Sequence, residues 1–268
     1  LGSKPGVDNW VYSCIFEPMR NSKKLVFIHI PKTAGTSLRL LLESNYPEDK
    51  RCAIYSHDNL DDALTKALDD PKILCIYGHF PLRPVVIASN ATVVTLFRAP
   101  IARSISHYNH YQKRMNEKHE QLMQGIDTPD DFTRLIQSNN RQTAFLSGYL
   151  NQKEFLQDPH ALEKALAHFE RLDAVGFTEH YAASIAYFGE LFNWKNTLVE
   201  HHNSGSKKNE GDQSVWESMN KQDLPLYQSA IERFAPLLKN YQGLPAKTPK
   251  KTFLPKVKDY LRTLSSKF

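Results

Sequence analysis

The chain has 268 residues, 41% of them hydrophobic, and its 34 lysines and arginines outnumber 29 aspartates and glutamates for a formal net charge of +5. That is enough chain for one large α/β domain, with a charge excess that suits an anionic ligand and is too small to argue for nucleic acid. The cysteines, Cys14, Cys52 and Cys75, are odd in number and far apart, so a reducing compartment is the simpler reading, and no run approaches the roughly 18 apolar residues of a membrane span.

LGSKPG at the start has no signal-peptide pattern. The expected location is therefore cytoplasmic, with a removed N-terminal anchor or signal left open. Residues 1–22 read as a lead-in segment in which VYSCIF is a short edge strand. Leu25 to Ile30 is an apolar run interrupted only by His29, hence a buried strand. Pro31, Lys32, Thr33, Ala34, Gly35 and Thr36 follow as a tight loop. Ser37 to Leu42 opens a helix with Leu38, Leu41 and Leu42 turned inward. A strand, a loop and a helix start in this order make a phosphate cradle. Gly35 permits close backbone approach, the helix start offers N–H groups and a positive dipole end, Lys32 adds a charge, and Thr33, Thr36 and Ser37 add hydroxyls. It is not a Walker A loop, because Lys32 precedes the only glycine.

Tyr46 to Asp49 reads as a turn and Cys52 to Ser56 as a strand running out at His57 and Asp58. Leu60, Leu64 and Leu68 mark the inner face of a short helix. Ile73 to Tyr77 is a strand that stops at Gly78-His79-Phe80-Pro81. Open α/β sheets bind ligands at the carboxyl ends of their strands, so His79 falls where chemistry is expected. Thr92 to Phe97, TVVTLF, is the clearest buried strand and ends at Arg98. Pro100 suits the first turn of a helix reaching about Arg114. On it Arg103, Ser106, His107 and His110 share a face. Arg103 reads equally as an anion contact or an ion-pair partner; His107 and His110 read as ordinary polar-face residues. Neither IYGH nor TLFR ends in the aspartate of a Walker B strand, which argues against a magnesium-dependent NTPase.

Further on, residues 115–127 read as a polar loop and Asp130 to Gln137 as a helix. Pro159 to Phe169 is amphipathic through Leu162, Ala165, Leu166 and Phe169. Asp173 to Phe177 is a strand. Thr178 caps a helix to about Phe192 that turns Tyr181, Ile185 and Phe188 inward. Thr197 to His201 is a candidate last strand, residues 203–213 a loop, and Gln222 to Leu238 a helix. Residues 244–268 read as a basic tail and a terminal helix, whose stripe of Leu254, Val257, Leu261, Leu264 and Phe268 is expected to pack on the body, with a membrane-surface or partner role as the lesser alternative.

Three stretches carry a family resemblance. HIPKTAGTSL resembles the 5′-phosphosulfate-binding loop of the sulfotransferases that use 3′-phosphoadenosine 5′-phosphosulfate (PAPS). It is especially similar to the branch holding the carbohydrate (heparan and chondroitin-type) sulfotransferases and their bacterial relatives. GHFPL is similar to the element that carries the catalytic base there. FRAPIARSISHY resembles the 3′-phosphate-binding element. The resemblance implies a P-loop-like three-layer α/β fold in one domain over residues 1–268. Its sheet would be central and mostly parallel with helices on both faces, and its C-terminal half helix-rich.

The same resemblance implies sulfuryl transfer from PAPS, leaving 3′-phosphoadenosine 5′-phosphate (PAP), to a hydroxyl acceptor, an oligo- or polysaccharide, with no metal and no nucleic-acid partner. His79 would be the base, with His57 as runner-up. Pro31 to Ser37, with Lys32 also acting on the leaving group, would hold the 5′ side. Arg98 and Ser106 would hold the 3′-phosphate. NNRQTAFLSG resembles the active-site mouth, which makes Asn140, Arg141 and Gln142 acceptor candidates alongside His57 and Arg103. Lys207 and Lys208 stand where a late basic loop covers the cofactor. Two other classes stay open: an atypical nucleotide kinase, which would need magnesium and ATP, and a nucleotide-binding module without turnover.

Overall fold

The computed structural model describes residues 23–118, 128–136, 139–197 and 213–241. Among these residues five short strands, Leu25–Ile28 (β1), Arg51–Ile54 (β2), Cys75–Gly78 (β3), Thr92–Phe97 (β4) and Ala174–Phe177 (β5), form one sheet in the order β2-β3-β1-β4-β5. Every pairing is parallel. Parallel strands need covered crossovers, so their sheet is covered too. Accordingly every residue of β1, β3, β4 and β5 is buried, while β2 at the edge is only partly so.

The crossovers are α1 (Gly35–Asn45), α2 (Leu60–Asp69) and α3 (Pro84–Ala88). Between β4 and β5 the chain inserts α4 (Pro100–Lys118), α5 (Pro129–Ile136), α6 (Arg141–Leu146), α7 (Gln152–Gln157) and α8 (Ala161–Phe169). After β5 come α9 (Tyr181–Leu191), α10 (Gln213–Met219) and α11 (Asp223–Leu238). The expected parallel α/β architecture, flanked by helices and helix-rich in its second half, is the observed one.

Some local expectations change. Residues 115–118, expected in a loop, continue α4. Thr178 does not cap α9. A short 3-10 turn, Thr178–His180, intervenes, and the Thr178 hydroxyl donates to the Phe97 carbonyl at 3.1 Å, tying β5 to the end of β4. In α2 the inner stripe is Leu60, Leu64 and Ala67, with Leu68 only partly covered. The lead-in, residues 198–201 of the candidate last strand, Lys207, Lys208 and the tail lie outside the described residues. Among the described residues no helix is long and apolar enough to cross a membrane, and no group of three or more His, Cys, Asp or Glu is placed to hold a metal.

Strand order creates the place for a ligand. The chain leaves β1 toward β2 and leaves its neighbour β3 across β1 to β4. Loops from adjacent strands departing in opposite directions open a crevice at their carboxyl ends. Along that edge stand Tyr55 after β2, His79 after β3, His29 after β1 and Arg98 after β4.

Candidate active site

Between β1 and α1 the backbone turns through left-handed conformations at Lys32 (φ 74°) and Ala34 (φ 63°). Non-glycine residues seldom sit there. The Thr33 hydroxyl, expected to face an anion, is instead buried and donates to the Ile30 carbonyl at 2.8 Å. Ser37 is hydrogen-bonded to the Tyr181 hydroxyl, while Thr36 is exposed. Among the described residues no side chain caps α1; the Ser37 N–H turns back to the Ala34 carbonyl at 3.1 Å, so the Gly35 and Thr36 N–H groups are the ones left for another partner.

Gly35 has a packing reason beside the one expected. A Cβ built there would lie 1.6 Å from Nε2 of His29 and 1.8 Å from its Cδ2. The glycine makes room for a buried imidazole. Gly78 is required similarly: its Cβ would lie 1.7 Å from the Ile54 carbonyl oxygen of β2. Close strand pairing therefore dictates the glycine that precedes His79.

His79 is partly buried, and its Nε2 lies 3.4 Å from Nε2 of His29, with ring centroids 4.1 Å apart. Tyr55 stands edge-on to His79 at 4.9 Å, and its hydroxyl is 3.5 Å from Nδ1 of His29. Arg39 of α1 lies over the Tyr55 ring at 5.2 Å. Its Nε donates to Glu43 at 2.7 Å, and the same carboxylate oxygen accepts from the Tyr77 hydroxyl at 2.8 Å. His57, the runner-up base, is exposed, and its Nε2 lies 2.6 Å from the His79 carbonyl oxygen. That nitrogen therefore carries a proton.

Burial, helped by His57, Arg141 and Arg39, lowers His79 to about 4. Burial also drives His29 well below the usual imidazole range, with His79, Arg39 and Lys32 adding to it. His107, expected on a polar face, is another partly buried imidazole. It packs on Phe132 at 5.3 Å and is pushed down to about 3 by burial, then by Arg103, Lys32, Arg141 and His110.

All three groups have folded pKa values below the unfolded one, so the unfolded chain binds the extra protons. Stability then falls as pH drops from about 6.5, where free imidazoles charge, toward about 4, where His79 follows. The urea midpoint is expected to decline across that window. His107→Gln should reduce the proton uptake on unfolding at pH 5 by about one. A flat midpoint, or an unchanged uptake in the variant, rules this out.

Across β1, Arg98 reaches back to the loop: its Nη1 donates to the Lys32 carbonyl at 3.3 Å. Gln142 clamps the Arg98 backbone, accepting from its N–H at 2.9 Å and donating to its carbonyl at 3.0 Å. Glu179 accepts from the Ala99 N–H at 2.9 Å. Ser106, two turns along α4, is partly buried.

Arg103 is completely buried, faces the charge of Asp223, and donates to Ser104 Oγ at 3.3 Å. Asp223 in turn accepts from the N–H groups of Gln142 (3.2 Å) and Thr143 (2.7 Å) and from the Thr143 hydroxyl (2.7 Å). Asn140 returns the favour at α11, accepting from the N–H groups of Gln222 (2.8 Å) and Asp223 (3.2 Å). Each helix start is thus capped by a side chain from the start of the other. This arrangement consumes Asn140 and Gln142, which were expected at the acceptor mouth; Gln142 is only 1% exposed. Arg141 remains: its Nη1 donates to the Leu150 carbonyl at 3.3 Å, its guanidinium lies 4.8 Å from the Phe145 ring, and its charge acts on both His79 and His107.

The structure therefore brings Lys32, His79, Arg98 and Arg141 to one edge and adds His29, Tyr55 and Arg39. The only local signal for His29 was that it broke an apolar run. Asp223 and Glu179 left no signal, because their partners are 80 or more residues away.

No family model matches the chain, and no curated protein does. Among solved structures it is similar to mouse sulfotransferase SULT7A1 complexed with PAP, at 13% identity, covering 82% of this chain and 88% of that one, with a TM-score of 0.42. Similarity of that size says nothing of what this site binds.

Proposed function

We propose that the protein transfers a sulfuryl group from PAPS to a hydroxyl on an oligo- or polysaccharide. The observation that supports this best is the convergence of three separate sequence landmarks, the loop of Lys32, His79 and Arg98, on the carboxyl edge of three adjacent strands. The uncapped start of α1 beside Lys32 suits a phosphate. Arg98, on the other side of β1, suits a second. Two anion grips flanking one crevice fit a nucleotide carrying both 3′ and 5′ phosphates.

When bound, PAPS supplies the sulfuryl group and a phosphate leaving group. Lys32 and the N–H groups of the α1 start stabilise the charge that develops on the departing side. Arg98 and Ser106 hold the 3′-phosphate and so set the register of attack. His79, neutral at pH 7, takes the proton of the acceptor hydroxyl. Arg141 and His57 border His79 on the acceptor side. The carbohydrate acceptor rests on the resemblance of HIPKTAGTSL.

Calorimetry with PAP in the absence of magnesium tests the reading. PAP is expected to bind, and AMP to bind at least about tenfold more weakly for want of one charge-assisted contact. Arg98→Ala should weaken PAP roughly 10- to 100-fold. Binding of ADP as tight as PAP, or an absolute need for magnesium, would overturn the proposal and favour an atypical kinase. Transfer of labelled sulfate from PAPS to chondroitin or N-acetylheparosan then tests the acceptor class.

A further inference from the structure

We infer that His29 is the positioning residue of the base: its Nε2 accepts a hydrogen bond from His79 Nε2–H, which leaves the lone pair of His79 Nδ1 to receive the acceptor proton. The direction of this hydrogen bond, like the assignment of His79 as base, rests on the function proposed above; the facing of the two nitrogens does not.

The two Nε2 atoms face each other at 3.4 Å, and His29 is 6% exposed. Neutral imidazoles have one N–H and one lone pair each, so only one proton can lie between two facing nitrogens. If His29 donated, the lone pair of His79 would point into the core and its other nitrogen would carry the proton. His79 would then have no basic atom for a substrate. If His29 accepts, its own proton is on Nδ1, where the Tyr55 hydroxyl oxygen stands 3.5 Å away and can accept it. Either arrangement can satisfy both ring nitrogens of His29, since the Tyr55 hydroxyl can also donate to Nδ1; only the second keeps His79 basic. Such contacts are often long before substrate binds and tighten afterwards.

Burial prevents His29 from taking the charge itself, and Arg39 and Lys32 act in the same sense. During transfer the proton passes from the acceptor oxygen to His79 Nδ1. The oxygen–sulfur bond forms as the bond from sulfur to the phosphate oxygen breaks, and the electron pair leaves on that oxygen. The imidazolium then holds a stronger, charge-assisted bond to neutral His29. A carboxylate in the place of His29 would orient the base equally well, but it would set a negative charge against an anionic donor and leaving group. Gly35 completes the arrangement. Its missing Cβ seats the His29 ring, so the phosphate-binding turn and the residue that orients the base are packed on one another.

The direct test is nitrogen-15 NMR of histidine-labelled, ligand-free protein at pH 7, with the His79 signals identified by their loss in His79→Gln. The expected result is His79 protonated on Nε2 and His29 on Nδ1. His29→Phe, which fills the space without an acceptor, should give His79 a mixture of tautomers and lower kcat roughly 10- to 100-fold with chondroitin as acceptor. Its affinity for PAP should stay within about twofold. His29→Gln, whose Oε1 stands near the lost Nε2, should recover most of kcat. His79 protonated on Nδ1 in the wild type overturns the inference. So does a His29→Phe enzyme with wild-type kcat, or a glutamine variant no better than phenylalanine. Failure of PAP to bind would count against the proposed function and not against the pair, whose tautomers are read without ligand.

Discussion

A His79→Ala enzyme is expected to bind PAP as the wild type does and to transfer sulfuryl groups about 10²- to 10⁴-fold more slowly, the usual worth of a positioned base. His79 follows the last residue of β3; its ring is held by His29 and Tyr55, and His57 contacts its backbone carbonyl. The backbone of β3 is fixed independently by β1 and β2, so removing the imidazole leaves the loop of Lys32 intact. The pH profile is a second readout. A base lowered to about 4 puts the acid limb of kcat/KM for PAPS near that pH in the free enzyme. Bound anionic groups favour the imidazolium, so the limb of kcat should lie higher. Initial rates of labelled-sulfate transfer between pH 4 and 8 measure both. Near-wild-type turnover of His79→Ala would remove His79 from the role and pass it to His57.

Asp223→Ala is expected to lose about 3–5 kcal/mol of folding stability, because it removes a buried carboxylate that accepts three hydrogen bonds at the start of α6 and answers the buried charge of Arg103. Burial holds the Asp223 carboxyl above the usual carboxylate range, against the opposing pull of Arg103 and the hydrogen bonds from Thr143 and Gln142. Take the carboxylate away and Arg103 is left buried beside an alanine, with the start of α6 uncapped. The effect reaches the site. Gln142 belongs to the same first turn of α6 and clamps Arg98, so PAP affinity should fall along with stability. Asp223→Asn, which keeps the shape but not the charge, should lie between the two. Urea unfolding measures all three proteins. A loss below about 1 kcal/mol in Asp223→Ala would show that the pair is not the anchor described.

Each kind of landmark was legible to a different degree. β4 was read residue for residue, because a β-branched apolar run suits only a strand covered on both faces. His79 and Arg98 could be put at strand ends because strands were recognised before them. The inner stripe of α9 was equally clear in Tyr181, Ile185 and Phe188. Local pattern failed where a residue answers to something distant. Gly35 looks like a residue freed to meet an anion, and its sequence gives no sign that it must also be small to seat His29. Asn140 and Gln142 look like polar residues of a mouth and are spent on helix starts and on the Arg98 backbone. His107 shares a helical face with polar neighbours yet is covered by Phe132, an element away.

The sequence by itself determined the α/β alternation, the loop that opens α1, and the residue types at the ends of β3 and β4. Each follows from hydrophobic period and turn chemistry, which act over a few residues. Only the tertiary structure decided that β1 lies between β3 and β4, that two imidazoles face one another across that pairing, and that Asp223 caps a helix which begins 82 residues before it. Strand order and buried polar pairing are settled by which distant groups can cover or neutralise one another. A buried imidazole or carboxylate is stable only beside a particular partner, and nothing in its local sequence names that partner.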